Sequence, residues 1–445
     1  MLCNKCTRCG LCSGKDAKSD SLIVQMKSKG IAGFNVDSSL PSNHVGIAFD
    51  VGTTTIACAL YCLSTGDEII SFGEGNEQVT FGTDVISRIS FSMKDDGFDK
   101  LHGLMKMQVG RMISRAMLLC QAEFFSERRG RAELKKIVVA GNTVMESFLA
   151  GVSVRQLASA PFVPESTFGF EGYASIFFGD VVPVDCSIYF VPCVSGFIGG
   201  DIVCSMLSAG FHESAACNRF LADIGTNCEM CVIGKNTEKI ICTSTAAGPA
   251  FEGYGIECGS PAVRGAIVKV SLDGECPECT VIGGGEPISI SGTGLVSAIS
   301  EMVKKGHINR DGSFVDETQE RFCLSEKVWL SVKDIRNFQL AKGAVYSGLE
   351  MLSCNVEKSD GAVLFLAGGF GNELSVLDAV NIRMIPGDLK DKMVPLGNGS
   401  LYGASMILLD DAMRKKAEEL CCRCSVLELA GNEEFSRTFI SSMDF

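Results

Sequence analysis

A duplicated α/β protein of two lobes is the fold this sequence predicts, and three observations predict it. The stretch VGIAFDVGTTTIACALYCLSTGDEI, Val45–Ile69, reads as an apolar strand, a turn at Asp50-Val51-Gly52-Thr53, and a second apolar strand. Residues 221–245, LADIGTNCEMCVIGKNTEKIICTST, repeat that layout around Asp223-Ile224-Gly225-Thr226. A third apolar strand, AVLFLAGGFGN at 362–372, ends on Gly368-Gly369. With 445 residues the chain is too long for one ordinary core, which agrees with two domains.

The first turn raises a chemical question. A structural hairpin needs a glycine and one short polar residue. It does not need a carboxylate at the strand end followed by Thr53, Thr54 and Thr55. That set suits a phosphate with its magnesium: Gly52 lets the backbone approach, amides and hydroxyls meet the phosphate oxygens, and Asp50 faces the cation or its water. A turn kept only for packing has no reason to repeat its acid, so Asp223 with Gly225, Thr226 and Asn227 reads as a second phosphate loop. Gly368 and Gly369, with Asn372 just beyond, offer a side-chain-free strand end that admits a flat base and its ribose. VVAGNTVMESFLAG (138–151) and SISGTGLVSAISEMVKKG (289–306) each read as a strand or glycine turn opening an amphipathic helix, and these would link the loops.

The N-terminus carries a different chemistry. MLCNKCTRCGLCSG places Cys3, Cys6, Cys9 and Cys12 at strict three-residue intervals. Short C-x2-C steps wrap a loop around a compact core, which suits an iron–sulfur cubane. The usual bacterial run has three residues before its fourth cysteine and a proline after it; here there are two residues and then Ser13, so a cysteine elsewhere could replace Cys12 as fourth ligand. Structural zinc is the rival, but it normally uses two knuckles separated by a longer loop. Ser13 to Asn43 is rich in Ser, Lys, Gly and Asp and reads as a partly flexible tether.

Composition narrows the partners. The net charge of −13 leaves no basic excess with which to displace the counterions of a nucleic acid. Met1 is followed at once by Cys3 and Lys5, so no signal peptide is expected. The most apolar stretch, 181–207, is glycine-rich and has Asp180, Asp185 and Asp201 in or beside it, so no membrane span is expected and the cytoplasm is the expected compartment. Most of the 22 cysteines sit singly in apolar segments and read as small buried hydrophobes, a usage cheapest in an anaerobic host. Cys228 and Cys231 lie on a strand whose alternation should keep their sulfurs apart. Cys276 and Cys279 sit on a turn without a second pair. Cys421, Cys422 and Cys424 follow a helix, at what reads as a packed junction.

The order of phosphate loop, connecting helix, phosphate loop, connecting helix and adenosine loop resembles the superfamily of acetate and sugar kinases, heat-shock seventy-kilodalton chaperones and actin. Within it, FGTDVISRI (81–89), GNTVM (141–145), VPCVSGFIGGD (191–201), DIGTN (223–227), STAAGPAFEG (244–253), DIRNFQLAKGA (334–344) and LAGGFGN (366–372) are similar to the ATP-dependent reductive activators of corrinoid proteins. The resemblance runs from about Val45 to the C-terminus. Two departures stand out: Cys228 occupies a position where that family usually has glycine, and the family's larger iron–sulfur domain is reduced here to a four-cysteine peptide.

The resemblance implies an actin-like (ribonuclease H-like) duplicated ATPase with these parts: a cluster peptide at 1–14, a linker at 15–43, lobe 1 at 44–215, and lobe 2 with the adenosine loop and a C-terminal extension at 216–445. It implies an ATP-hydrolysing activase that returns accidentally oxidised Co(II) corrinoid to Co(I), one electron at a time. Its implied cofactors are ATP, Mg2+ and an iron–sulfur cluster of the 4Fe-4S kind. Asp50 and Asp223 would hold the magnesium's water shell and orient the attacking water; Glu252 would either reach toward the nucleotide or serve only as a helix-start acid. The implied partners are the corrinoid protein of a methyltransferase system and a low-potential electron donor, with a homodimer allowed for. An activator of a dehydratase or double-cubane reductase would share every nucleotide residue. A small-molecule kinase would not need the thiols, and an ATP-dependent chaperone would turn over without an electron donor.

Overall fold

Strand β1 (His44–Val51) is apolar at almost every position because the sheet around it is covered on both faces; Val45, Ile47, Ala48, Phe49 and Val51 are all fully buried. The computed structural model describes residues 36–123, 131–358, 361–370, 374–390 and 392–445. β1 pairs antiparallel with β2 (Thr55–Cys62), which pairs antiparallel with β3 (Glu68–Gly75). On its other edge β1 runs parallel to β4 (Glu133–Gly141), followed by β6 (Ser187–Phe190) and then β5 (Glu171–Tyr173), giving the order β3-β2-β1-β4-β6-β5.

The second sheet repeats this plan. β7 (Arg219–Ile224), β8 (Cys228–Ile233) and β9 (Ile240–Thr245) form the antiparallel meander. β10 (Val363–Ala367) lies parallel to β7, β11 (Met393–Gly397) lies parallel to β10, and β12 (Cys424–Val426) extends the opposite edge. Strand for strand, β3-β2-β1-β4-β6 corresponds to β9-β8-β7-β10-β11. The duplication expected from the repeated Asp-x-Gly-Thr is therefore a duplication of topology, and it is that of the actin-like ATPase fold.

The chain forms two compact units. One runs to Glu213 and takes back Asn398–Cys424; the other comprises Ser214–Gly397 and Ser425–Phe445. The boundary near 215 is close to the expected one. The C-terminal division differs, since the sequence places all of 216–445 in the second lobe. The physical reason is helix α7 (Gly399–Leu409), buried at every position. It lies on α4 (Gly200–Ser208) and against β1, where a side chain at Gly46 would run into Leu408 at 2.8 Å. An apolar helix this complete must be covered all round, and the first unit covers it. Val36 lies beside Gly66 of the first unit, so of the segment 13–43 the described residues from 36 onward pack on that unit.

In the second unit, α6 (Val332–Ser353) carries Lys342, whose ammonium is fully buried. It donates to the carbonyls of Ser442 (2.5 Å) and Asp444 (2.7 Å) and sits 4.9 Å from the centre of the Phe445 ring. Burial lowers its pKa to about 7. The last residues are therefore pinned to the helix through the matching stretch 334–344. Among the described residues no helix is long and apolar enough to cross a membrane.

Candidate nucleotide site

Each unit presents an acid at the C-terminal end of its first strand, and parallel pairing decides what stands beside it. Asp50 is in register with Ala140, just before Gly141-Asn142; Asp223 is in register with Ala367, just before Gly368-Gly369.

In the first unit the turn is tight. The Gly52 amide donates to the Thr55 carbonyl at 3.0 Å, and a Cβ on Gly52 would stand 2.7 Å from that same oxygen. The carbonyls of Gly52, Thr53 and Thr54 are all engaged, by Asn76 Nδ2 (2.9 Å), Arg88 Nη2 (2.7 Å) and the Asn76 amide (2.8 Å) respectively. The loop's oxygen atoms are thus drawn toward the protein, away from any anion at its rim. Asn142 Nδ2 donates to Thr53 Oγ1 at 3.0 Å and its Oδ1 caps α3 (Thr143–Ala150).

Asp50 is half-buried, and both carboxyl oxygens are held from the start of α7: Ser400 Oγ donates to Oδ1 and Asn398 Nδ2 to Oδ2, each at 2.8 Å. Burial raises its pKa, and these two bonds oppose the rise. A carboxylate oxygen accepts more than one hydrogen bond, so Asp50 keeps capacity for a cation's water while its orientation is fixed. Near it lie Asp201, at the start of α4, and Glu146 on α3. Glu146 is fully buried with neither carboxyl oxygen in a hydrogen bond of good geometry. Burial first, then the charges of Asp201 and Asp50, hold its pKa well above the ordinary range, with the Gly200 amide opposing. Burial and these neighbouring charges therefore both favour its protonated form.

In the second unit the Gly225 amide donates to the Asn227 carbonyl at 3.0 Å, and the Thr226 carbonyl accepts from the Gly248 amide at 2.8 Å. Glu252 lies against this loop: its Oε1 accepts from the Thr226 amide (2.9 Å) and hydroxyl (3.0 Å), two donors a phosphate would use. An anion entering this loop must exchange with a carboxylate or share it through a cation. Gly368 has φ +86°, and a Cβ there would stand 2.9 Å from Asp223 Oδ1, so the backbone is pressed against the acid. Gly369 follows, exposed. Asn372 lies outside the described residues, as do Cys3, Cys6, Cys9 and Cys12.

The structure thus brings Asp50, Gly52, Thr53, Thr54 and Thr55 together in one loop, and Asp223, Gly225, Thr226 and Asn227 with Gly368 and Gly369 in the other unit. Sequence reasoning missed Asn76, Arg88, Asn142, Asn398, Ser400 and Glu146. Three of these lie inside the quoted stretches, Arg88 in FGTDVISRI, Asn142 in GNTVM and Glu146 in VVAGNTVMESFLAG, but nothing in the spacing says they face the loop. Cys228 and Cys231 are buried on β8, and burial drives the Cys228 thiol pKa far up. Cys421 is pushed up to about 12 and points its sulfur at the Cys193 carbonyl, 3.3 Å away. Among the described residues no group of cysteine, histidine or carboxylate side chains is arranged to hold a metal.

Comparison with known proteins gives the same answer across both units. Residues 218–445 match the family described as the C-terminal domain of RACo, the ASKHA domain, and residues 45–214 match the RACo middle region. The corrinoid activation enzyme RamQ of Eubacterium limosum is 29% identical, over 93% of this chain and 73% of its own length. The [Co(II) methylated amine-specific corrinoid protein] reductase of Methanosarcina barkeri is 25% identical, over 90% of this chain and 77% of its own. Among solved structures, a reductive activator for corrinoid, iron-sulfur protein superposes with a TM-score of 0.79 at 29% identity, covering 91% of this chain and 67% of that one. With both of its units matched in order, this chain belongs to the RACo family.

Proposed function

We propose that this protein is an ATP-dependent reductive activator that returns the cobalt of a methyltransferase system's corrinoid protein from Co(II) to Co(I). The observation that carries the reading is the paired Asp-x-Gly-Thr loops on duplicated sheets in a chain whose two units both match the RACo family. The Asp50 loop and the Asp223 loop bind ATP phosphates with Mg2+, the two acids orienting the cation's water and the attacking water. Gly368, Gly369 and Asn372 receive the adenosine. Nothing in this scheme needs a covalent nucleophile. We place the protein in the cytoplasm, beside its corrinoid partner.

The balance is one electron from a low-potential donor to cobalt, coupled to hydrolysis of ATP to ADP and phosphate. In the assay, the full chain, purified without oxygen, is mixed with a Co(II) corrinoid protein and Ti(III) citrate, and visible absorbance follows Co(I). Reduction should require ATP; reduction at the same rate without ATP, or none with it, overturns the reading.

The donor set of Cys3, Cys6, Cys9 and Cys12 suits a 4Fe-4S cluster: four thiols, closely and evenly spaced, without the longer loop that separates the two knuckles of a zinc site. When bound, such a group supplies one-electron transfer at low potential. Protein made anaerobically should be brown and hold about four iron per chain. Stoichiometric zinc without iron would remove the electron-carrying role of this segment.

A further inference from the structure

Arg88 is fully buried, yet its hydrogen-bond partners among the described residues are all uncharged. Its Nε donates to the Gly82 carbonyl (2.9 Å), Nη1 meets Gln78 Oε1 (3.3 Å) and Met145 Sδ (3.1 Å), and Nη2 donates to the Thr53 carbonyl (2.7 Å). Asp84 acts on it only through space, and burial lowers its pKa to about 10, so it remains charged at neutral pH. Asp84 offsets part of the cost of burial, but no carboxylate is hydrogen-bonded to the guanidinium among the described residues, and a buried charge so weakly compensated is costly. The only backbone it holds from the phosphate loop is the carbonyl of Thr53, in the middle of that loop. Gln78, itself fully buried, is fixed by donating to the Leu101 carbonyl (2.9 Å), and Asn76, its neighbour, holds the loop carbonyls on either side. The framework beneath the loop is therefore polar and hydrogen-bonded throughout, with the Arg88 guanidinium at its centre.

We propose that Arg88 is a positioning residue for the nucleotide's outer phosphates: it fixes the Thr53 peptide and supplies the buried positive charge under the loop. This rests on the phosphate-binding reading of residues 52–55. Arg88 does not touch the phosphates; it acts through the Thr53 peptide and through its field, so its effect grows with the charge of the nucleotide's phosphate chain.

The test compares binding of AMP-PNP and AMP, each with Mg2+, to the full chain and to Arg88→Met and Arg88→Lys, with thermal melting as a check on folding. The Met variant should lose about a hundredfold in preference for AMP-PNP over AMP, with AMP affinity falling far less than that of AMP-PNP, the scale of one charged hydrogen bond. The Lys variant keeps the charge but not the fork and should lose about tenfold. An unchanged preference in either folded variant overturns the proposal, as does failure of both to fold, which would make Arg88 a structural residue. If the unaltered chain does not prefer AMP-PNP to AMP, the phosphate-loop reading itself fails.

Discussion

A chain lacking residues 1–35 should hydrolyse ATP at the rate of the full chain and fail to reduce a Co(II) corrinoid protein. All the proposed nucleotide residues lie between Asp50 and Asn372, and all the proposed cluster ligands lie before residue 35, so the cut separates the two activities cleanly. The boundary matters. Val36 contacts Gly66, the His44 amide donates to the Pro41 carbonyl at 3.0 Å, and Asn43 Nδ2 reaches the Arg131 carbonyl at 3.1 Å. A cut at Asn43 would remove some of these and blur the result with a stability loss of about 1 kcal/mol; a cut after residue 35 leaves them.

The expected effect on cobalt reduction is large because ATP cannot substitute for an electron carrier. For one electron, about 59 mV corresponds to 1.4 kcal/mol, so roughly 4 kcal/mol of differential binding between nucleotide states moves a couple by about 170 mV. That can bring a low-lying Co(II)/Co(I) couple within reach of a donor, but the electron still needs a path. Replacing Cys3, Cys6, Cys9 and Cys12 by serine in the full chain should reproduce the loss. Cobalt reduction at the full rate in the truncated chain would show that the electron travels elsewhere.

What could be read in the sequence, and what could not, divides along physical lines. Asp50, Gly52, Asp223, Gly225 and Gly368 were legible because each sits at the end of an apolar strand, where a carboxylate or a glycine is locally out of place. Their repetition then gave the duplication, and the sheets bear it out. The partners of Asp50 were not legible: Asn398 and Ser400 come 348 and 350 residues later, and as residues at the start of a helix they look like an ordinary cap. Arg88 was hidden by its setting, since an arginine on a short amphipathic helix is normally solvated, and only the packing of Gln78 and Met145 around it reveals the burial. The return of 398–424 to the first unit was hidden for another reason. The apolar pattern of α7 says that it must be buried but not against which sheet.

Asp50→Ala and Asp223→Ala should each abolish ATP hydrolysis, with a loss of about a thousandfold or more, equivalent to roughly 4 kcal/mol of transition-state stabilisation. Neither change should unfold the protein, because both acids are half-buried at strand ends rather than packed in a core. Asp50→Ala leaves Asn398 Nδ2 and Ser400 Oγ without their acceptor, a cost of about 1–3 kcal/mol in stability, so its melting point should fall modestly. Asp50→Asn separates the two effects: it keeps most of the volume and one acceptor while removing the charge. It should melt closer to the parent yet hydrolyse as poorly as the alanine variant, and it should need more Mg2+ for whatever turnover remains. Asn398→Ala makes the complementary cut. It frees one oxygen of Asp50 and loses the cap of α7, so activity should fall less than in Asp50→Ala while stability falls by a similar amount. Both acids must matter, since one loop alone would bind phosphate without placing the water. Near-normal turnover in both Asp50→Ala and Asp223→Ala would remove the two-loop reading, and with it the assignment of Gly52, Thr53, Thr54, Thr55, Gly225, Thr226 and Asn227 to ATP.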